Sequence, residues 1–232
     1  PIIGGGGVIV PPDEYLPRLR EICDKYDLLL ILDEVITGFG RTGELFACRH
    51  WGVEPDIMTL AKGVSSGYLP LGACAVTPEI FEMFLGAPEE GVEFAQIATY
   101  GGHPVCCAAA LANIEILLRE RLWENSARMG AYLLDGLKEL KEKHQIIGDV
   151  RGLGLFCGLE IVRDRKTKEY FPPESGIGDL LTRGFAENGL LLRGGDNMNV
   201  APPLCVTSGE IDEIVSTMDR VFAQASKELG AE

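Results

Sequence analysis

The 232-residue chain has seven cysteines but no Cys-x-x-Cys pair. Their odd number and scatter argue against a disulfide framework and against a zinc site, and fit a reducing, cytoplasmic setting. Histidine is scarce as well. No second histidine lies at ligand spacing from His103, so no metal centre is expected. Positive charge is outnumbered, with 21 Lys and Arg against 35 Asp and Glu and a formal net charge of −14. Such a surface repels a phosphate backbone, which excludes a nucleic-acid binder. Long apolar runs are missing too. The longest charge-free stretch, Phe94 to Ile114, contains Gln96, Gly101, Gly102, His103 and Pro104, which excludes a membrane span. Internal repeats and low-complexity tracts are absent. The glycines Gly4–Gly7 lack the Gly-x-Gly-x-x-Gly spacing of a dinucleotide loop, and no helix follows them directly. The opening Pro1-Ile2-Ile3 has neither an initiator Met nor a basic n-region. It is therefore not a signal peptide and reads as the middle of something longer.

Apolar residues at 46 % and charged residues at 24 % suit a soluble globular chain, and nearly continuous periodic apolar segments exclude disorder. After the Gly- and Pro-rich lead-in of residues 1–12, Tyr15, Leu16, Leu19, Ile22, Cys23 and Tyr26 recur at helical spacing. Leu28–Leu32 is a short apolar run, read as a strand buried on both faces and ending in Asp33-Glu34. Further strands are expected over Asp56–Leu60 and Leu71–Val76, and this alternation indicates an α/β domain. Pro104–Arg119 reads as a buried helix, followed by a second helix with Trp123, Ala127, Leu133, Leu137 and Leu140 on one face. Period-2 alternation from Gly152 to Ile161 predicts a strand. A helix over Gly178–Asn188 stops at Gly189, and the last helix opens on a capping box, Thr207-x-x-Glu210. Residues 1–110 thus form part of an α/β domain and 111–232 an α+β domain with its own core.

Four places combine residue type and position in a way that packing alone does not explain. Asp33, at the end of an apolar strand and before a Gly-punctuated loop, presents a carboxylate; an N-cap or an ion pair with Arg41 is the structural alternative. Lys62, in Ala61-Lys62-Gly63, stands just past another strand. A lysine with a reference pKa near 10.4 is about one part in a thousand or less unprotonated at pH 7, so a nucleophilic role needs desolvation or a carbonyl partner. A solvated surface charge is the plain alternative. Thr99 precedes a helix N-terminus and offers a hydroxyl to an anion, or else serves the turn. Arg193 follows Leu190–Leu192, read as a buried strand, and precedes Gly194-Gly195-Asp196. It either clamps a substrate carboxylate or pairs with Asp196.

Taken in order, Asp33-Glu34-Val35-x-x-Gly38-Phe39-Gly40-Arg41-Thr42-Gly43, then Pro55-Asp56-Ile57, then Ala61-Lys62-Gly63, resembles the class III, or omega-amino-acid, aminotransferases of fold-type I. The resemblance runs from Gly7-Val8-Ile9-Val10-Pro11-Pro12 to Ala201-Pro202-Pro203-Leu204. It implies part of a cofactor-binding large domain with a mainly parallel sheet, plus a C-terminal α+β small domain. It implies pyridoxal 5'-phosphate as cofactor, held by Lys62 as an internal aldimine. Asp33 would pair with the pyridine nitrogen, where enclosure in low dielectric keeps both partners ionised. Val35 would pack on one ring face. Thr99 would reach the cofactor phosphate of a neighbouring subunit in a homodimer, and Arg193 would grip a substrate carboxylate.

The implied reaction moves an amino group from an omega-amino acid or amine to pyruvate or another 2-oxo acid. Glu160–Thr167 looks more like the amine–pyruvate branch than the acetylornithine branch. The resemblance is to the C-terminal half of such chains. The phosphate loop and the second ring-stacking aromatic come earlier in them, so a fragment poorly active or inactive on its own is expected. An aminomutase or decarboxylase on the same scaffold, or a non-catalytic truncated remnant, are the alternatives.

Overall fold

In a computed structural model, which describes residues 1–96 and 98–230, the chain divides into two units. One comprises Pro1 and residues 11–121; the other comprises residues 2–10 and those from Leu122 onward. The division thus follows Arg121, where the sequence draws it at 110/111. The helix that spans that point is tied to the first unit by Asn113, whose amide donates to the carbonyls of Gly63 and Val64.

In the first unit α1 (Tyr15–Lys25) is followed by β1 (Ile31–Asp33), β2 (Ile57–Leu60), β3 (Ala73–Val76), the short α2 (Pro78–Glu82) and α3 (Pro104–Arg119). The strands lie in the order β1-β2-β3. β1 and β2 are parallel, with Asp33 opposite Thr59, and β3 runs antiparallel to β2, so the sheet is mixed. Leu30 and Leu32 pack with Leu16 and Cys23 of α1 and with Cys48 and Val53.

The expectation of a strand buried on both faces is corrected here. Leu29 and Ile31 are more than half exposed, because α1 takes only the side chains of alternate residues, and Leu28, ahead of β1, is exposed as well. α3 is likewise not wholly buried. It sinks Cys106, Ala110 and Leu117 and exposes Val105, Leu111, Ile116 and Leu118.

Asp56 staples this unit. One carboxylate oxygen accepts from Arg20 of α1 at 2.8 Å and from the Leu30 N–H at 2.6 Å. The Arg20 hydrogen bond, followed by that of Leu30, holds the acid below the usual carboxylate range against the opposing effect of burial.

The second unit contains α4 (Leu122–Lys143), β4 (Ile147–Leu153), β5 (Phe156–Ile161), α5 (Ile177–Glu187), β6 (Asn197–Val200) and α6 (Ser208–Leu229). Its sheet, β4-β5-β6, is antiparallel throughout. The sequence predicts one strand over 152–161; the chain instead reverses at Gly154, whose φ is +57°, and makes a hairpin. Leu190–Leu192 does not form the expected strand, and Leu191 is 99 % exposed.

Leu133, Leu137 and Leu140 of α4 meet Cys157, Leu159 and Ile161 of β5 and Phe185, Met218 and Phe222 of the other helices in one core. A side chain at Gly130 would run into the backbone of Gly154, so only glycine lets α4 approach the hairpin this closely. Residues 2–10 belong here because their carbonyls are taken up by this unit. Arg151 Nε donates to Gly7 O at 2.7 Å, and Asn199 Nδ2 to Gly4 O at 3.3 Å.

Candidate functional site

Parallel neighbours end on the same edge of a sheet, and in open α/β sheets that carboxyl edge is where ligands collect. β1 ends on Asp33 and β2 ends two residues before Lys62, so the strand pair carries an acid and a lysine past one edge. Asp33 Oδ1 accepts from the Val35 N–H at 2.9 Å, which fixes the carboxylate over the start of the next loop and leaves it exposed. The enclosed, low-dielectric setting expected for it is therefore corrected. The buried acid is its neighbour.

Glu34 is fully buried, accepting from the Ala47 N–H at 3.1 Å, the Cys48 N–H at 2.8 Å and the Thr37 hydroxyl. Three donors converging on one carboxylate satisfy a charge that burial alone would penalise. They also close the loop from Thr37 to Cys48. The same arrangement pushes the Cys48 thiol up to about 12, through burial first and the Glu34 charge second, so it stays protonated. Sequence reasoning treated Asp33-Glu34 as one feature. The outward phase of Asp33 and the inward phase of Glu34 follow from strand alternation, which offered the signal.

Lys62 adopts φ +42°, a left-handed conformation uncommon for a side-chain-bearing residue. Its side chain is exposed, and among the described residues its ε-amine has no hydrogen-bond or ion-pair partner. Gly63 next to it packs against the loop after Asp33. A Cβ there would lie 2.9 Å from the Phe39 Cβ and 3.3 Å from the Gly38 carbonyl oxygen. The lysine turn and the aspartate loop are thus in contact through Gly63, and Val35 is half-buried in that loop.

Thr99 is exposed in the turn ahead of α3, and the imidazole Nδ1 of His103 accepts the Val105 N–H at 3.3 Å to cap that helix. Arg193 belongs to the second unit. It is exposed and, among the described residues, makes no ion pair with Asp196 or any other acid. Gly194 beside it is fixed by the Thr182 hydroxyl, 2.8 Å from its N–H. Asn113, which sequence reasoning passed over, is the first polar residue in a helix that is apolar from Pro104 to Ala112, and that contrast was its signal.

Comparison with known proteins bears on this arrangement. The family model described as aminotransferase class-III matches residues 1–222. A taurine–pyruvate aminotransferase of Bilophila wadsworthia is 45 % identical over 239 aligned residues, covering 99 % of this chain and 52 % of its own. An (S)-enantioselective omega-transaminase from Thermomicrobium roseum superposes with a TM-score of 0.92 at 48 % identity, over 97 % of this chain and 49 % of its own. An amine transaminase from an uncultivated Pseudomonas species, solved in its PLP-bound internal aldimine form, gives 0.92 at 42 % identity, over 97 % and 51 %.

The chain spans about half the length of the curated relatives it matches. These findings correct the expectation of a likeness limited to one half and of an inactive fragment. The likeness takes in 97–99 % of this chain, and no inactivity follows from it. With its α/β and α+β units and its family match over residues 1–222, the chain belongs to the class III aminotransferases.

Proposed function

We propose that the chain supports pyridoxal-phosphate-dependent transamination, moving an amino group from an omega-amino acid or amine to pyruvate or another 2-oxo acid. The observation that carries this reading is the pairing of Asp33 and Lys62 at one carboxyl edge, with the lysine amine unpartnered. The donor set suits the cofactor. A pyridine aldehyde calls for an amine, an acid for its ring nitrogen and an apolar surface, and Lys62, Asp33 and Val35 supply these from adjoining strand ends.

When bound, the cofactor supplies an electron sink for the carbanion formed at the substrate carbon. The residues divide the remaining work. Lys62 would hold the aldehyde carbon of the cofactor, and its amine would carry a proton to and from the substrate carbon. Asp33 would keep a proton on the ring nitrogen, and Val35 would exclude water from one ring face. Glu34, by closing the loop from Thr37 to Cys48, keeps Asp33 and Val35 in place.

Thr99 reaches the phosphate of a neighbouring subunit and Arg193 meets a substrate carboxylate. Both roles rest on the family resemblance, as does a homodimer; a cytoplasmic setting rests on the odd number and scatter of the cysteines. The unit of residues 11–121 acts as the cofactor-binding part, and the unit from Leu122 onward, with residues 2–10, as the small domain. The taurine–pyruvate relative supports pyruvate as acceptor.

The test is peptide mass after mixing with pyridoxal phosphate and reducing with borohydride. One phosphopyridoxyl adduct on Lys62, displaced by competing amine and lost in Asp33→Ala, is expected. Adducts scattered over surface lysines overturn the assignment. Alanine formed from taurine and pyruvate, and abolished by Lys62→Ala, tests the substrate pair.

A further inference from the structure

The turn that carries Lys62 has an unusual backbone. Lys62 at φ +42°, Ser66 at +50° and Gly67 at +76° put three left-handed residues within six positions, two of them with side chains. Such conformations persist only where the surroundings over-determine them. The turn's own bonds, Val64 N–H to Ala61 O at 3.1 Å, Ser65 N–H to Lys62 O at 3.3 Å and Ser66 N–H to Gly63 O at 3.4 Å, are local, and the last two are long. They do not tie the turn to anything outside it.

Asn113 does. From the middle of α3, about fifty residues along the chain, its Nδ2 donates to the carbonyl of Gly63 at 2.9 Å and of Val64 at 3.0 Å. Its Oδ1 accepts from the Ser66 hydroxyl at 2.6 Å. Both amide hydrogens and the carbonyl oxygen are therefore engaged by three residues of one turn. The two carbonyls also fix which way the amide faces, because the opposite orientation would set them against an acceptor, and the Ser66 hydroxyl then donates to Oδ1. On its other side the turn is braced by Gly63 against Phe39. The segment just after Lys62 is thus held between α3 and the loop that follows Asp33.

We infer that Asn113 is a positioning residue for Lys62: by clamping the carbonyls of Gly63 and Val64 it holds Lys62 in its left-handed conformation and so aims the ε-amine. The inference rests on Lys62 being the cofactor lysine. Asn113 makes no bond to the Lys62 side chain among the described residues and acts through the backbone. Released from the clamp, Lys62 relaxes to negative φ, which swings its Cβ away from the present direction. An amine aimed loosely pairs less often with an incoming aldehyde, and its proton equilibrium once joined to the cofactor is no longer set by one geometry.

Asn113→Asp tests this, since it keeps the shape of the side chain and removes both N–H donors. Three readouts are taken on wild type and variant: amide hydrogen exchange of residues 62–66 and of the β4–β5 hairpin, the rate of phosphopyridoxyl labelling at Lys62, and the pH midpoint of the visible band of the pyridoxal-phosphate-loaded protein. Loss of two hydrogen bonds should raise exchange in 62–66 about tenfold and slow labelling at Lys62 by a similar factor, with the hairpin unchanged. The pH midpoint should move as well.

Unchanged exchange, labelling and midpoint overturn the inference. So does a uniform rise in exchange with a lowered Tm and an unmoved midpoint, which marks a merely structural residue. If Asn113→Asp fails to fold, Ser66→Ala, at an exposed position, carries the test. It should give a smaller change of the same sign, and no change overturns the inference. Wild type that does not label at Lys62 removes the assignment of Lys62 and the inference together. Wild type that labels beside unaffected variants removes the inference alone.

Discussion

The two units hold themselves together by different means. In the unit from Leu122 onward, three helices and an antiparallel sheet enclose a continuous set of fully buried aliphatic and aromatic side chains, from Leu133 to Ala225. In the unit of α1, β1–β3 and α3 the buried apolar set is small, all four residues of β3 are exposed, and Ile31 on β1 is exposed too. What fixes its shape instead is a few polar staples. Glu34 gathers the loop from Thr37 to Cys48, Asp56 ties β2 to α1 and β1, and Asn113 ties α3 to the lysine turn. Burial is non-directional, whereas a hydrogen bond has an angle and a length. The first unit therefore gives less to cohesion and more to the placing of particular backbone atoms, which a site needs.

The contrast breaks if core truncation weighs equally in both units. Leu137→Ala in the second core should fall toward the upper end of the usual range of about 2–5 kcal/mol, and Leu32→Ala in the first toward its lower end. Urea unfolding followed by a probe in each unit separates the two, and equal losses would contradict the comparison.

Glu34→Gln keeps the shape of the acid and removes its charge, and should cost about 1–3 kcal/mol. It should also lower the Cys48 thiol from about 12 while leaving it above the ordinary thiol range, since burial is the larger cause. The pH dependence of thiol alkylation reads this directly. A thiol unchanged in Glu34→Gln would mean that the carboxylate charge does not reach it.

Asp56 gives the smallest effect and the sharpest sign. Its folded-state pKa is depressed, first by the Arg20 hydrogen bond, so its stabilisation is complete above the unfolded value of about 4 and is lost as pH falls through the folded one. Acid titration should loosen the first unit through this window, and Asp56→Asn should flatten that part of the curve. An unchanged slope in the variant would refute the staple.

Much of this was legible in the sequence, and for physical reasons. Pro104 at the first turn and an apolar run up to Arg119 bound α3, Thr207 and Glu210 form the predicted capping box, and Gly189 at φ +80° ends α5 as read. Asp33 and Lys62 were each seen at a strand end. The hairpin was missed because alternation continues in step through Gly154 and does not register a reversal. Asn197-Met198-Asn199-Val200 is too polar to announce the strand β6, and Leu190–Leu192 is apolar without being a strand. The clamp at Asn113 joins residues about fifty positions apart, which no local pattern encodes.

The attachment of residues 2–10 to the second unit has a consequence in time. Gly4 and Gly7 find their partners at Asn199 and Arg151, so along the sequence residues 11–121 of the first unit fall between the two segments of the second. On a ribosome adding 5–20 residues per second, the gap from Gly4 to Asn199 corresponds to roughly 10–40 s, during which the first unit can form while the second waits for its later part. Contacts so distant along the chain slow the closing step of folding. The polar staples of the first unit, all made within residues 20–113, can set before that step begins.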